Sequence, residues 1–307
     1  MQVINQEIIG NIALYNGDSC EVLKAIPDNS IHYSIFSPPF ASLYTYSNSN
    51  RDMGNCKNDD EFYKHFEFLI DELYRVMMPG RCLSFHCMDL PAMKSRDGFI
   101  GLKDFSGDLI KAFQKAGFIY HSRVTVWKDP LVEATRTKAL GLLHKQICKD
   151  STMCRQGLPD YVITMRKPGD NPEMVSHPDG FDTFYGEDEP SRTDGVYSHQ
   201  VWRRYADPVW DDIRQTNTLN KKDARAEDDE KHICPLQLDL IRRCIHLWTN
   251  PNDIVLDPFA GIGSTPYVAQ EMERRAIGIE LKESYYNQAV INCKSQLEEK
   301  EQQLSIF

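Results

Sequence analysis

The chain has 307 residues, of which 41% are hydrophobic and 26% charged, a composition typical of a folded globular protein. Its formal net charge of −10 argues against a protein that coats itself with nucleic acid. No stretch approaches the ~18 consecutive apolar residues of a membrane span, no basic and apolar leader opens the sequence, and the nine cysteines form no CxxC pair. We therefore expect a cytoplasmic protein with free thiols, without a membrane segment, a metal site or a disulfide framework.

The first part of the chain predicts strands and helices in alternation. "NIALYNG" predicts a strand and a turn, a short helix follows, and "IHYSIF" predicts a buried strand. A helix is expected over residues 60–77, where apolar side chains recur at helical spacing, and a Pro79-Gly80 stop precedes the strand "RCLSFHC". A helix over residues 105–116 and the strands "FIYHSRVTVWK" and "DYVITMRKPG" complete this part.

The middle of the chain, over residues 121–230, differs from the rest in its charge and in its predicted regular structure. Over residues 121–169 nine basic residues outnumber four acidic ones, which fits a solvated surface or, alternatively, a phosphate-facing patch. From residue 170 to 230 proline, glycine, aspartate and serine are frequent, no long amphipathic period appears, and aromatic residues alternate with arginines. We expect a loop-rich insertion there.

The alternation resumes after residue 230. A helix "PLQLDLIRRCIHLW", a strand "DIVLDPF", a glycine-rich turn, a helix near residues 265–273, a strand "AIGIEL" and a C-terminal helix follow in order. This order favours an α/β protein with a doubly wound, mostly parallel sheet and one insertion. We divide the chain into a core half (residues 1–169), an insertion (170–230) and a second core half (231–307).

The stretch "SPPF" is an unusual end for the strand "IHYSIF". Proline fixes φ, donates no hydrogen bond and pushes the preceding residue out of the helical region, so Ser37, Pro38, Pro39 and Phe40 predict a stiff, extended elbow. Such an elbow holds Phe40 and two backbone carbonyls in fixed directions. Taken alone, these four residues fit a rigid loop start with a half-buried aromatic equally well.

The stretch "VLDPFAGIGST" predicts a ligand site. It places Asp257 at a strand end and Gly261 and Gly263 before a helix, at the edge where open α/β sheets bind ligands. Because neither the third glycine of a dinucleotide motif nor the GK[ST] of a phosphate loop follows, we expect a nucleoside ligand without a pyrophosphate. Glu280 closes the next strand, where its carboxylate can accept hydrogen bonds from both ribose hydroxyls; a solvated strand end is the alternative.

With these motifs and "GIEL" in one chain, the sequence resembles the S-adenosylmethionine-dependent DNA methyltransferases that modify exocyclic amino groups of adenine or cytosine. "NGDSCEVLKAIPDNSI", "MMPGRCLSF", "VTVWKDP" and "HICPLQLDLIRRCI" extend the resemblance over roughly residues 8–169 and 231–292. The elbow precedes the glycine turn, the circularly permuted order of the β class, and the sequence looks like the solitary members carried by phages and prophages. The resemblance implies a Rossmann-like methyltransferase sheet, S-adenosylmethionine as cofactor, double-stranded DNA as partner, and a target-recognition region in residues 170–230.

The resemblance also implies roles for single residues. The Ser37 side chain and the Pro38 carbonyl accept hydrogen bonds from the target amine, and Phe40 stacks on a base rotated out of the duplex. The residues implied for the cofactor are Asp18 at its adenine, Asp257, Phe259, Gly261 and Gly263 at its methionine and adenosine parts, Glu280 at its ribose, Pro235 and Gln237 over its carboxylate, and Ser264 and Thr265 at the helix start. For Asp18, a turn or capping aspartate is the alternative.

The expected DNA contacts lie in three stretches. They are Tyr44, Tyr46 and Arg51 after the elbow, Arg136 and Lys138 in the basic stretch, and Arg203, Arg204 and Arg214 in the insertion. A homodimer is a weaker expectation from the resemblance.

Other functions fit the sequence less well. A nicotinamide-dependent oxidoreductase would use the same sheet but gives the proline elbow no role, and a non-catalytic DNA reader would not need an intact elbow and glycine turn. Methylation of RNA or of a protein amide also uses a Pro-Pro-aromatic elbow, but the permuted order and the insertion favour DNA.

Two features of the sequence favour different target bases. In the resembled family, serine before Pro-Pro is more often seen with N4-cytosine than with N6-adenine, although a hydroxyl can accept a hydrogen bond from either amine. The longer similarity of "SPPFASLYTYSNSNRDMGN", "DEKHICPLQLDLI" and "PFAGIGS" to phage-borne solitary enzymes favours adenine. We predict N6-adenine, with N4-cytosine as the alternative.

Overall fold

The computed structural model describes residues 3–39, 59–137, 141–193, 195–220 and 235–305. Its strands are β1 (Asn5–Ile9), β2 (Ile12–Asn16), β3 (Tyr33–Phe36), β4 (Cys82–Cys87), β5 (Leu90–Ala92), β6 (Gly101–Lys103), β7 (Ile119–Val126), β8 (Asp160–Arg166), β9 (Val209–Trp210), β10 (Ile254–Asp257) and β11 (Arg275–Glu280). Its helices are α1 (Ser19–Leu23), α2 (Asp59–Val76), α3 (Lys94–Asp97), α4 (Phe105–Lys115), α5 (Pro130–Thr137), α6 (His144–Ile147), α7 (Tyr197–Ala206), α8 (Leu238–Trp248), α9 (Ser264–Glu271) and α10 (Glu283–Ser305).

Within the described residues, one central sheet of nine strands has the order β1-β2-β11-β10-β3-β4-β8-β7-β9. The five strands from β2 to β4 pair in parallel, β7 and β9 run in the same direction, and β1 and β8 are antiparallel to their neighbours. The prediction of an α/β chain with a mostly parallel sheet is therefore confirmed, within a sheet that is mixed.

Helices cover both faces of this sheet because alternate strand residues point to opposite sides. On β3, which is buried along its whole length, Tyr33 and Ile35 enter one apolar core and Phe36 enters the other. Side chains of α1, α2 and α4 fill the core around Phe36, and side chains of α8, α9 and α10 fill the opposite core. This is the doubly wound arrangement that the sequence predicts.

Two short hairpins lack a sequence pattern that predicts them. The edge strand β1 is mostly exposed, so it shows no apolar alternation, and it pairs antiparallel with β2. β5 and β6 have three residues each and form a separate two-stranded sheet. Strands this short give too little periodicity to detect.

The segment 170–230 contains more regular structure than the sequence predicts. α7 buries Val201 and Tyr205 on one side, a spacing too short to register as a long amphipathic period, and β9 extends the central sheet beside β7. Arg243 of α8 is fully buried among aromatic rings of this segment, with its guanidinium carbon 4.7 Å from the Tyr205 ring, and it donates to Asp212 over 2.9 Å. The described part of this segment is thus packed onto the core helix α8.

In the parts of the chain that the structure describes, none of the helices combines the length and the apolar composition needed to cross a bilayer.

Candidate active site

Five neighbouring parallel strands end at one edge of the sheet and carry polar side chains there. Asp18 follows β2, Glu280 ends β11, Asp257 ends β10, Ser37 follows β3, and His86 lies next to the end of β4. The carboxyl ends of parallel strands are where open α/β sheets bind ligands. Residues from distant parts of the sequence thereby share one edge.

The elbow and the glycine turn follow directly paired strands. β3 and β10 are parallel neighbours, with Ser34 opposite Leu256. The buried Ser34 hydroxyl donates to the Leu256 carbonyl over 2.8 Å and joins segments that are 222 residues apart. The chain that leaves β3 at Ser37 therefore starts beside the chain that leaves β10 at Asp257.

The elbow itself is held at Ser37. Pro38 and Pro39 are buried and continue β3 without joining the sheet, as their missing N–H groups require. Ser37 is half-buried, and its hydroxyl donates to the His86 carbonyl over 3.1 Å while lying 3.3 Å from Nδ1 of the same residue. Phe40 of the predicted catalytic motif, and the predicted DNA contacts Tyr44, Tyr46 and Arg51, lie outside the described residues.

A histidine and two charged residues that the sequence analysis did not single out lie behind Ser37. His86 Nε2 is 2.8 Å from Asp160 Oδ2, and Lys128 Nζ forms an ion pair with the same carboxylate oxygen. All three side chains are largely buried. His86 and Lys128 hold the pKa of Asp160 below its usual range, at about 2, although burial alone would raise it. Sequence patterns could not show this group, because its members come from different strands.

The glycine turn has an open side and a packed side. Gly261 has φ +53°, and a Cβ added there would meet no atom of the described residues within 4 Å, so these residues leave space over this backbone. Gly263 has φ +88°, and a Cβ there would lie 3.0 Å from Cβ of Ala289 in α10. Gly261 is therefore the position at which a ligand can approach the turn, and Gly263 allows α10 to pack against the start of α9.

Two carboxylates border this turn. Glu280 Oε2 accepts a hydrogen bond from the Gly261 N–H over 2.8 Å, and Oε1 accepts one from the Lys282 N–H over 2.8 Å. The carboxylate thus fixes the shape of the turn. Asp257 is buried and accepts from the Phe259 N–H over 2.9 Å, and burial raises the pKa of this carboxyl to about 7.

Asp18 caps a helix at the same edge. Its carboxylate accepts from the Cys20 N–H over 2.9 Å and from the Glu21 N–H over 3.3 Å at the start of α1, which is the alternative role noted for it. The next residue, Ser19, donates its hydroxyl to the Pro258 carbonyl over 2.5 Å. The turn after β2 is therefore tied to the turn after β10, and a cofactor role for Asp18 stays a prediction.

The other predicted cofactor residues surround these turns. The Phe259 ring packs 5.9 Å from the Phe36 ring, so it supports the core as well as the turn. Ser264 and Thr265 begin α9 and are buried, and the Thr265 hydroxyl donates to the Ile35 carbonyl over 3.3 Å. Pro235 and Gln237 precede α8; Gln237 donates to Gln215 over 3.1 Å, and its side-chain oxygen is buried with no hydrogen-bond partner among the described residues.

Two of the predicted DNA contacts in the insertion differ in their surroundings. Arg203 is exposed on α7, whereas the Arg204 guanidinium lies 3.9 Å from carboxylate oxygens of both Asp211 and Asp212. A cavity of about 580 Å³ between α7 and β9 is lined by both arginines, both aspartates and Asp207. The wall of this cavity is of mixed charge.

The other predicted basic contacts are less available or not described. Arg214 forms a two-pronged ion pair with the buried Asp239 over 2.6 and 2.5 Å. Arg136 lies near the end of α5, and Lys138 lies outside the described residues. In the basic stretch as a whole, Arg155 pairs with Glu133 over 3.1 Å and Lys128 with Asp160, so part of the local positive excess is used inside the protein.

A second buried histidine lies at the opposite edge of the sheet, before β3. The Ile254 N–H donates to His32 Nδ1 over 3.2 Å, so Nε2 carries the proton and lies 3.2 Å from Glu173 and 3.7 Å from Asp253. Asp253 is also paired with the buried Arg81. The three metal-type side chains here, His32, Glu173 and Asp253, therefore form part of an ion-pair network in which the histidine acts as a donor.

Comparison with known proteins identifies the family. A model of N6/N4 methyltransferases, described as "DNA methylase", matches residues 31–291. The Type II methyltransferase M.XycI of Xanthomonas campestris pv. cyanopsidis is 42% identical over 316 residues, which cover 94% of this chain and 90% of that protein. The Type II methyltransferase M.BglII of Bacillus subtilis is 24% identical over 272 residues, 89% of this chain and 66% of that protein. The chain belongs to the N6/N4 DNA methylase family, whose members are S-adenosylmethionine-dependent DNA methyltransferases.

Solved structures share the fold. TTHA0409 of Thermus thermophilus, complexed with S-adenosyl-L-methionine, aligns with TM-score 0.63 and 21% identity over 92% of this chain and 95% of that chain. The PvuII DNA methyltransferase, specific for cytosine N4, aligns with TM-score 0.63 and 18% identity over 95% of this chain and 90% of that chain. The cofactor is S-adenosylmethionine, and the residues at this edge fit it: the turn is open at Gly261, and carboxylates at Asp257 and Glu280 suit a cationic nucleoside.

Proposed function

We propose that the protein transfers a methyl group from S-adenosylmethionine to the exocyclic amine of a base in double-stranded DNA, with the N6 amine of adenine as the target. The observation that carries this proposal is the direct pairing of β3 with β10, which starts the elbow and the glycine turn side by side. A group held at Ser37 would then lie beside a group held over Gly261. Proximity of this kind supplies much of the barrier reduction in a transfer between two bound molecules.

The cofactor half is proposed to hold S-adenosylmethionine, which supplies a methyl group on a positively charged sulfur. Gly261 leaves room for the ligand, and Glu280 accepts hydrogen bonds from the ribose. Asp257, Gln237 and Asp18 are proposed to line the methionine and adenine parts. The side-chain oxygen of Gln237 supports this, since it is buried without a donor among the described residues and a ligand could supply one.

The elbow is proposed to hold the target amine. An exocyclic amine is a weak nucleophile because its lone pair is delocalised into the ring. Since the Ser37 hydroxyl donates its hydrogen to His86, its lone pairs are free to accept from the amine, together with the Pro38 carbonyl. Two acceptors on a stiff elbow favour a pyramidal nitrogen whose lone pair points at the methyl group.

The base must leave the duplex to reach this edge, so we propose that it is rotated out of the helix. Phe40 is proposed to stack on it, which is worth about 1–3 kcal/mol per base. The arginines of α7 and the segment after the elbow are proposed to bind the surrounding duplex. Arg203, exposed on α7, is the best placed of the described candidates.

N4 of cytosine is the second candidate target. Ser37 favours it, because serine at this place accompanies cytosine more often in the resembled family, and the structural relative from PvuII is specific for cytosine N4. The longer motif similarity favours adenine, as argued from the sequence. Both targets present an amine to the same pair of acceptors, so only the product distinguishes them.

Five further expectations belong to this proposal. The elbow precedes the glycine turn along the chain, which supports the circularly permuted β class, and the divisions at residues 169 and 230 follow from it. A phage-like solitary role, a cytoplasmic location and a homodimer stay predictions. Sedimentation of the purified protein tests the dimer.

The function is tested by incubating the protein with S-adenosylmethionine labelled in its methyl group and long DNA amplified in vitro, which carries no methylation. Labelled DNA is expected with the wild-type protein and not with Ser37→Ala. Labelling of RNA or protein in place of DNA would contradict the proposal.

A further inference from the structure

Behind Ser37, three buried side chains form a continuous line of contacts. The Ser37 hydroxyl oxygen lies 3.3 Å from His86 Nδ1, His86 Nε2 lies 2.8 Å from Asp160, and Asp160 is paired with Lys128. Ser37 and these three residues lie at the ends of β3, β4, β8 and β7, which are neighbours in the sheet in that order. Burial of a histidine, a carboxylate and an ammonium group at one place is costly unless they are paired, and here each has a partner.

The contacts fix which nitrogen of His86 carries the proton. An ionised carboxylate only accepts hydrogen bonds, and Asp160 stays ionised because His86 and Lys128 lower the pKa of its carboxyl to about 2. Nε2 therefore donates to Asp160, and in this tautomer Nδ1 is the acceptor nitrogen that faces Ser37. The Ser37 hydroxyl hydrogen thus has two acceptors within reach, the His86 carbonyl and His86 Nδ1.

We propose that His86, held by Asp160, is a positioning residue that takes up through Ser37 the proton released by the methylated amine. This inference rests on the proposed function. It assigns roles to His86, Asp160 and Lys128 that a purely structural ion-pair network would not have.

The step balances as follows. The amine nitrogen forms a bond to the methyl carbon, and the electron pair of the broken carbon–sulfur bond stays on sulfur. The nitrogen, now cationic, gives a proton to the Ser37 oxygen while the Ser37 hydroxyl hydrogen passes to His86 Nδ1. His86 becomes an imidazolium next to the Asp160 carboxylate, and it returns the proton to solvent after the product leaves. Asp160 and Lys128 face the ring from β8 and from the end of β7.

Two substitutions each remove one of the two hydrogen-bonding functions of the His86 ring, and the inference requires both functions. His86→Asn keeps an acceptor near Ser37 but loses the donor to Asp160, and His86→Gln keeps a donor to Asp160 but loses the acceptor at Nδ1. His32→Gln is a matched control, because it removes a buried histidine that is also hydrogen-bonded to a carboxylate, at the opposite edge of the sheet. Calorimetric binding of S-adenosylmethionine shows whether each variant is folded.

We measure single-turnover methyl transfer to long DNA amplified in vitro, over a range of pH. Both His86 variants are expected to lose at least about tenfold in the rate of transfer, with the affinities for S-adenosylmethionine and DNA unchanged, while His32→Gln keeps the wild-type rate. The pH profile of the transfer rate is expected to differ between the wild-type protein and both His86 variants, because the amide side chain of asparagine or glutamine takes up no proton.

The inference is overturned if both His86 variants bind S-adenosylmethionine and transfer methyl groups at the wild-type rate. It is also overturned if their rates fall but keep the wild-type pH dependence, which would indicate a structural role. If the wild-type protein binds S-adenosylmethionine but labels no DNA, the proposed function fails instead.

Discussion

Most residues of the cofactor half of the candidate active site lie within residues 257–280, with Asp18, Pro235 and Gln237 outside this stretch, whereas the amine half brings Ser37, His86, Asp160 and Lys128 together from four strands. In the cofactor half, the backbone conformation determines the shape of the site: Gly261 has a positive φ, and its N–H donates to Glu280. In the amine half, side chains determine the shape of the site through a line of hydrogen bonds and ion pairs. A short motif in one stretch of sequence can therefore reveal the first half, but only the pairing of strands reveals the second.

The difference predicts that substitutions in the amine half impair chemistry and that substitutions in the cofactor half impair binding. Ser37→Ala is expected to have the largest effect. It removes an acceptor for the amine and interrupts the line to His86, so the single-turnover rate should fall by about 100-fold or more, while DNA affinity stays close to wild type. If the variant loses DNA affinity in proportion to its rate, Ser37 contributes to DNA binding, and the two halves do not differ in the way described.

Gly261 tests the cofactor half. Gly261→Val is expected to abolish binding of S-adenosylmethionine, because its side chain would occupy the open space over the turn, and Gly261→Ala should weaken binding by at least about tenfold. Gly98→Ala is the matched control: Gly98 has φ +82° and open space around it, so it suffers the same backbone strain, about 1 kcal/mol, away from the site. Equal affinities for Gly261→Ala and Gly98→Ala, measured by calorimetry, would remove Gly261 from the cofactor site.

The Asp257 carboxyl predicts that the affinity for S-adenosylmethionine depends on pH. Burial raises its pKa to about 7, so much of it is protonated in the free protein below that pH. A cationic cofactor favours the ionised form, so its binding should release a proton, and affinity should rise with pH from 6 to 7.5 by less than about tenfold. Asp257→Asn is expected to flatten this rise. A wild-type affinity that falls over the same range would have the wrong sign for a carboxylate near the cofactor's charge.

The smallest expected effect concerns the DNA contacts of α7. Arg203→Ala is expected to weaken DNA binding severalfold and to reduce the salt dependence of the binding constant by about one unit of slope, since one phosphate contact is lost. Arg204→Ala should do the same more weakly, because its guanidinium lies near two aspartates. Arg192→Ala is the control from the same segment, since Arg192 is paired with Glu189 over 2.6 Å. Normal DNA binding by both Arg203 and Arg204 variants would show that this segment does not bind the duplex.

The elements that the sequence predicted well are those with long periodicity or strict stereochemistry. The apolar spacing of α2, with Phe62, Phe66 and Leu73 fully buried, and the buried strand β3 are confirmed because burial leaves a clear pattern. The sequence did not predict α7, because only Val201 and Tyr205 are buried in it. It did not predict β1, because an exposed edge strand needs no apolar alternation. Propensity and pattern are weak where an element is short and held by its neighbours.

In the candidate site, residues of a local motif could be predicted from the sequence, and residues brought together by strand pairing could not. Asp257, Gly261 and Glu280 could be proposed from the sequence because glycines and strand-end carboxylates form a local pattern. His86 could not, because a histidine within the strand "RCLSFHC" is most often a core residue, and its partner Asp160 lies 74 residues away. Arg214, proposed as a DNA contact from its charge, is paired with Asp239, a partner that charge patterning does not reveal.

The most direct test of the central claim is mass spectrometry of nucleosides from DNA amplified in vitro and incubated with the wild-type protein and S-adenosylmethionine. We predict N6-methyladenine, which should be absent when Ser37→Ala replaces the wild-type protein. N4-methylcytosine without N6-methyladenine would assign the second candidate base and show that Ser37 was the better guide. Absence of both methylated nucleosides, with a wild-type protein that binds S-adenosylmethionine and DNA, would contradict transfer to an exocyclic amine.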